Sequence, residues 1–243
     1  MTTVGTKQAM TTTKQRASKA IAPKMPVATK ATAPIAFGSV SGKGGGRPRS
    51  EATRRAILSA TLELLGEGSI QSITIEAIAK QAGVSKATIY RWWQSKASVV
   101  IDAFIENHMV HTPMRYDIHP AEALLVHWRL LVEQYSGWPG QIVAQILAEG
   151  QSDPSIQREF RERFYYGRRA VVREVIDNLR THVPRLREID SEVLMDILYS
   201  PVYQRLLWGY GPLDAKFIRD FPHDLFRLLG VEFDESDKVI AVS

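Results

Sequence analysis

The run TIEAIAKQAGVSKATIY, residues 74–90, restricts the fold more than any other stretch of the 243-residue chain. Thr74 can cap a short helix, IEAIAKQA, in which Ile75, Ile78, Ala79 and Ala82 recur at the helical period and face inward. Gly83 supplies the left-handed position that ends it, and only Val84 intervenes before Ser85, a second N-cap. Helices joined this tightly cross steeply. Small Ala79 lets them approach, and Val84 with Ile89 pins the second onto the first, which makes a helix-turn-helix.

A longer amphipathic helix precedes this pair. Ile57, Ala60, Thr61, Leu64 and Leu65 share one face, Ser50 can cap it, Glu51 suits its first turn, and Gly66 and Gly68 stop it. Beyond Lys96 the periodicity predicts helices near 97–110, 120–136, 139–150, 154–181, 190–208 and 214–229. Pro113, Pro139, Pro154, Pro184 and Pro212 punctuate them; Pro120 and Pro154 suit the first helical position, and Pro201 should kink its helix. No convincing strand pair, repeat or heptad run emerges. The expected fold is all-α. Residues 47–96 form a three-helix head, 97–231 a larger helical domain and 232–243 a tail.

Charge is divided unevenly. Residues 1–50 hold nine Lys/Arg and no acid, whereas the remainder carries 22 basic and 26 acidic side chains. The first 46 residues, rich in Ala, Thr, Lys, Gly and Pro, cannot bury enough apolar area to offset ordering and read as a disordered basic arm. Such an arm suits a search along DNA; a targeting peptide is the competing reading, though Lys outnumbers Arg and no amphipathic helix is evident.

Several classes of protein are disfavoured. No uncharged apolar run reaches the roughly 18 residues of a membrane span. With no Cys there is neither a disulfide framework nor a thiol metal site, which fits the cytoplasm. No nucleophile–base spacing, paired acid cluster, phosphate loop or cofactor motif supports an enzyme. His108 and His111 have metal-like spacing at a helix end, but no third ligand accompanies them and they read as surface histidines.

The helix after Ser85 carries the candidate chemistry. On a 3.6-residue helix Ile89 and Trp93 face the core, while Lys86, Ala87, Thr88, Tyr90 and Arg91 cover the outer half. Such a helix can enter the major groove. Ala87 or the Thr88 methyl would meet a thymine methyl, and Lys86 or Arg91 would reach guanine acceptors. Tyr90, Trp92 and Lys96 suit the phosphate rails, as do the free amides at the helix starts of Thr74 and Ser85. Arg47 and Arg49, in GKGGGRPRS, could lie in an A·T-rich minor groove; a plain linker explains the glycines equally well.

These residues carry a resemblance. The segment TIEAIAKQAGVSKATIYRWWQSKASVV resembles the DNA-binding domain of the tetracycline-repressor (TetR) family at Thr74, Ala79, Gly83-Val84-Ser85, Thr88-Ile89-Tyr90, the two aromatics Trp92-Trp93, and Lys96 opening a fourth helix. The paired Trp departs from the Tyr or His followed by Phe that the family often has. LYSPVYQRLLWGYGPLD, residues 198–214, is similar to the penultimate helix of one subgroup. The resemblance implies a homodimer bound to double-stranded DNA and a divergent domain for a small-molecule effector. It also implies a fourth helix that relays effector binding, and a dimer interface of the last two long helices.

Of the aromatics concentrated in the larger domain, Tyr135, Tyr165, Tyr166, Tyr199 and Tyr203, with Trp128, are the candidate ligand-pocket residues. Helix 154–181 should bury Phe160, Phe164, Val171, Val175 and Leu179, with its Arg residues pairing locally with Glu159, Glu162 and Glu174 on a solvated face. The expected function is sequence-specific transcriptional regulation, as a repressor released from a palindromic operator by a small ligand. An architectural DNA-binding protein that relies on the basic arm is the alternative, and an enzyme docked on DNA a weaker one.

Overall fold

The structure, a computed structural model, describes residues 50–243. Ser50 accepts a hydrogen bond from the Thr53 amide and opens α1 (Glu51–Glu67), which ends at Gly68. Thr74 caps α2 (Ile75–Gln81) through the Ala77 amide, and Ser85 caps α3 (Lys86–Tyr90) through the Thr88 amide. Between them Gly83 takes φ +66°. The Val84 amide reaches back to the Ala79 carbonyl and the Gly83 amide to that of Lys80, which is the paired closure of a Schellman turn. A side chain at position 83 would be strained in this conformation, so the glycine fixes how closely α3 follows α2.

Ser95 caps α4 (Lys96–His111), which leads into the larger domain. There follow α5 (Pro120–Tyr135), α6 (Trp138–Ser152), α7 (Pro154–Phe160), α8 (Tyr166–His182), α9 (Ser191–Trp208) and α10 (Ala215–Leu228). Pro120 and Pro154 lie in the first turns of α5 and α7, and α9 passes Pro201 as a single helix.

Two features depart from the sequence reading. Helix 154–181 is not uniform: a π-helical turn, Arg161–Tyr165, joins α7 to α8. The wider turn moves the buried stripe, so Val172 and Ile176 are buried with Val175 and Leu179, while Val171 is only half-buried. Second, the expected tail is an antiparallel hairpin of β1 (Val231–Phe233) and β2 (Val239–Val242). Its strands are too short to announce themselves by alternation. The Asp234 carboxylate shapes its turn by accepting from the Ser236 and Lys238 amides, and Asp237 takes φ +61°. The hairpin is fastened to α5, because Glu122 accepts from Lys238 Nζ at 2.9 Å and from the Val239 amide at 3.2 Å.

Two apolar cores result. One runs from Ile57, Ile78, Ile89 and Trp93 in the head through Val99–Phe104 of α4 to Trp128, Tyr135, Phe160 and Phe164. The other joins α5, α8, α9, α10 and β1 around Leu125, Ile176, Leu198 and Phe226. No polar layer separates the head from the larger domain, so strain in one reaches the other through close-packed side chains.

Candidate functional site

On the head, Ser85, Lys86, Ala87, Tyr90 and Arg91 are exposed, and Thr88 is half-buried. Ile89 and Trp93 lie beneath them in the core. Tyr90, at 55% exposure, is a large ring that packing does not require. Lys86 donates to Glu76 on α2 at 2.8 Å. That bond holds the ammonium above its ordinary pKa and the carboxylate below its own. Both groups are fully open to water, so the pair is screened and readily exchanged for an external anion. The Thr74 and Ser85 hydroxyls are occupied as helix caps. Trp92 is half-buried against the core, its ring tilted 36° to Trp93 at 6.0 Å. Arg47 and Arg49 lie outside the described residues.

Lys96 differs from expectation. Its ammonium donates to the Ile70 carbonyl at 2.6 Å and the Ile73 carbonyl at 3.1 Å. It therefore ties the loop between α1 and α2 to the start of α4, and its three donors are largely spent within the protein.

The larger domain holds a partly open cavity of about 360 Å³. Tyr135, Tyr165, Tyr199 and Tyr203 all line it, as expected from their polar tips. Two candidates do not. Trp128 is buried elsewhere, donating from Nε1 to the Leu198 carbonyl at 2.8 Å and stacking on Phe221. Tyr166 points outward at 47% exposure, because a position two residues from buried Phe164 falls on the opposite side of the helix.

The cavity also gathers groups that the sequence reading placed outside. His108 is not a surface residue but buried, 4.8 Å from Phe164 in an edge-on contact, with Nε2 bonded to Thr112 Oγ1 at 2.9 Å. His127, buried on α5, meets Tyr199 Oη through Nδ1 at 2.8 Å. Burial first, then the charge of Arg168, pulls both imidazoles down to about pKa 3, so they are neutral. Arg168 follows Phe164 and precedes Val172 at four-residue intervals, and thus lies on the inward stripe. It donates to His127 Nε2 at 2.5 Å and to the Thr112 carbonyl at 2.8 Å. The sequence reading gave the arginines of this helix a solvated face with local partners. Arg163 does pair with Glu159 at 2.6 Å, but Arg169 crosses to Glu192 and Asp196 on α9, and Arg173 also reaches Glu192. The signal for Arg168 was present in the i, i+4 spacing. It was hidden because an unbroken helix would bury Val171 instead.

Asp102 of α4 links the two sites. It accepts from Trp93 Nε1 at 2.6 Å, lies 3.9 Å from Arg54 of α1, and pairs with Arg163 of the π turn. Nearby, Ser98 of α4 donates to Glu159 at 2.9 Å. The end of the α3 segment is thus joined through Asp102 to the π turn that precedes Arg168.

A helix-turn-helix with an exposed basic face, packed on a helical domain that holds a mostly apolar cavity, is the architecture of a DNA-binding transcriptional regulator. Residues 57–103 match the bacterial regulatory proteins of the tetR family, and residues 120–224 match the tetracyclin repressor-like C-terminal domain. The chain is 33% identical over 183 residues to the HTH-type transcriptional regulator YdeS of Bacillus subtilis, spanning 75% of this chain and 92% of that protein. It is 32% identical over 155 residues to the HTH-type regulator Mb1581 of Mycobacterium bovis, 63% of this chain and 71% of that one. Among solved structures, the TetR family transcription regulator SCO0332 superposes with a TM-score of 0.64 at 28% identity, covering 74% of this chain and 97% of its own. The regulator FadR of Bacillus subtilis, in complex with stearoyl-CoA, shares the fold at a TM-score of 0.53 and 16% identity, over 72% and 96% of the two chains. The chain belongs to the TetR family and is a sequence-specific DNA-binding regulator.

Proposed function

We propose that the chain is a homodimeric repressor released from a near-palindromic operator by a small molecule held in the cavity. The observation that carries this reading is the Asp102 junction, through which one carboxylate is shared by α1, the end of the recognition segment and the π turn. A ligand that repositions Arg168 moves the π turn and, through Arg163 and Asp102, the Trp93 anchor of the head. The effector needs only to bind the DNA-incompetent conformer more tightly than the competent one.

Support for the dimer comes from α9, where Val193, Ile197, Leu207 and Trp208 form an exposed apolar stripe with Leu228 of α10 nearby in the chain. A two-fold dimer across that stripe presents two copies of α3, in which Lys86, Ala87, Thr88 and Arg91 face bases while Tyr90 and the edge of Trp92 face phosphate. The head ends near residue 96, and the effector domain follows. The acid-free segment 1–46 adds sequence-independent attraction to DNA. Among the described residues no helix is long and apolar enough to cross a membrane, and we place the protein in the cytoplasm with its DNA.

Selection of bound duplexes from random DNA tests this reading. The expected result is an enriched near-palindrome whose half-sites lie one helical turn or a multiple apart. Deleting residues 1–46 should lower the salt dependence and leave that sequence unchanged. An unenriched pool, or enrichment only for A·T content that vanishes with the arm, defeats the proposal in favour of an architectural role.

A further inference from the structure

We infer that the cavity is built to bind a compact, apolar carboxylic acid as its anion, with Arg168 as the counter-ion. This rests on the cavity being the effector site. Arg163 has Asp102 and Glu159, Arg169 has Glu192 and Asp196, and Arg173 has Glu192, whereas Arg161, at the cavity edge, shows no carboxylate among the described residues. Arg168 has none among the described residues. Its partners are the Thr112 carbonyl, His127 Nε2 and, at 3.7 Å, Met109 Sδ, all of them neutral. A guanidinium drawn away from water without a counter-charge is costly, and an incoming anion removes that cost. Asp196 also lines the cavity, but it is engaged by Arg169 at 2.9 Å.

The hydrogen-bonding pattern around Arg168 favours the same ligand. Arginine is a donor only, so His127 must accept at Nε2, and the neutral ring then carries its proton on Nδ1. That proton is donated to Tyr199 Oη, which leaves the Tyr199 hydroxyl proton free for another acceptor. The Tyr135 hydroxyl is buried against Tyr203 and faces no open space, so it belongs to the packing behind the wall. Burial raises both phenols well above their ordinary range, so they remain donors. The Arg168 guanidinium and the Tyr199 hydroxyl proton are neighbouring donors on one wall, which suits a carboxylate and not an amine. Leu131, Leu147, Phe160, Phe164, Val172 and Met195 give most of the remaining wall an apolar surface, with Gln157, Arg161 and Ser200 as further polar groups. The volume of about 360 Å³ is near the lower end of the roughly 300–1,000 Å³ of small-molecule sites, which calls for a compact body.

Calorimetric titration of the full chain with benzoate, 2-naphthoate and octanoate, each against its own primary amide, tests the inference. At least one acid should bind about tenfold tighter than its amide, the scale of one charge-assisted contact. Arg168→Gln should erase that preference, and Arg168→Lys should keep part of it. Tyr199→Phe, which removes one oxygen and preserves packing, should weaken the acid and spare the amide, so a misfolded Arg168 variant would not leave the matter open. Three acids that bind no better than their amides, or not at all, overturn the inference, as does a preference that survives Arg168→Gln. Gel-shift measurements on the selected operator separate this from the regulatory reading: an acid that binds through Arg168 and leaves the DNA complex intact sustains the site and defeats the repressor mechanism.

Discussion

Lys86 and Arg168 place a positive charge in opposite settings. Lys86 is bathed in water beside Glu76, a carboxylate of another helix that it can leave at little cost. Arg168 is half-buried, held by neutral acceptors, and close to two imidazoles that burial keeps uncharged. The difference separates two recognition strategies. The head offers loosely compensated cations to a polyanion, so binding there is fast, salt-sensitive and reversible. The cavity holds a charge with little alternative but its ligand, so binding there is selective for a counter-ion of the right shape.

Asp102 joins the two regions, and its removal is the strongest way to break the comparison. Its side chain is 13% exposed and compensates both Arg54 and Arg163. Asp102→Ala should cost about 2 kcal/mol, as read from urea unfolding, because Trp93 Nε1 loses its charged acceptor and Arg54 and Arg163 each lose one of their carboxylates. A loss below the ~0.5 kcal/mol of an ordinary surface change would show that the junction bears no load.

The buried histidines sharpen the contrast next. Their folded pKa values near 3 lie below the 6.5 of a free imidazole, so the unfolded chain binds more protons between those values. Stability is full above about pH 6.5 and is lost as pH falls towards 3, by up to roughly 1.4 kcal/mol per pH unit for each ring. His127→Gln should flatten the slope of melting temperature against pH over that window. An unchanged slope would mean that His127 titrates normally and that Arg168 faces water.

The smallest effect distinguishes two lysines of the head. Lys86→Ala should lose about 1–3 kcal/mol of operator discrimination if it reads a base, and equal losses on operator and random duplexes would reject that role. Lys96→Met should instead lower stability by about 1 kcal/mol, the net worth of a lost hydrogen bond, with the salt slope of DNA binding unaltered. A shallower slope would return Lys96 to the phosphate backbone.

How much of this was legible in the residues depended on the range of the interactions. Thr74, Gly83 and Ser85 announce the helix-turn-helix because caps and a left-handed glycine act within four residues of themselves. The same locality made the outer face of α3 readable. The tyrosines of the cavity were legible from their amphipathic character; Trp128 was not separable from them, since only packing decides which aromatic becomes core. The tie from Lys96 to the Ile70 and Ile73 carbonyls was not legible, because those partners lie 26 and 23 residues away.

The sequence by itself determined an all-helical chain with a DNA-binding head, since periodicity, caps and breakers are local properties of the backbone. Tertiary structure alone decided where charge would be stranded. The folded chain sets Arg168 beside His127, 41 residues earlier, whose other ring nitrogen meets Tyr199 of a third helix. No local rule foresees that a guanidinium will be buried without a carboxylate, because the penalty arises from neighbours that only the folded chain assembles.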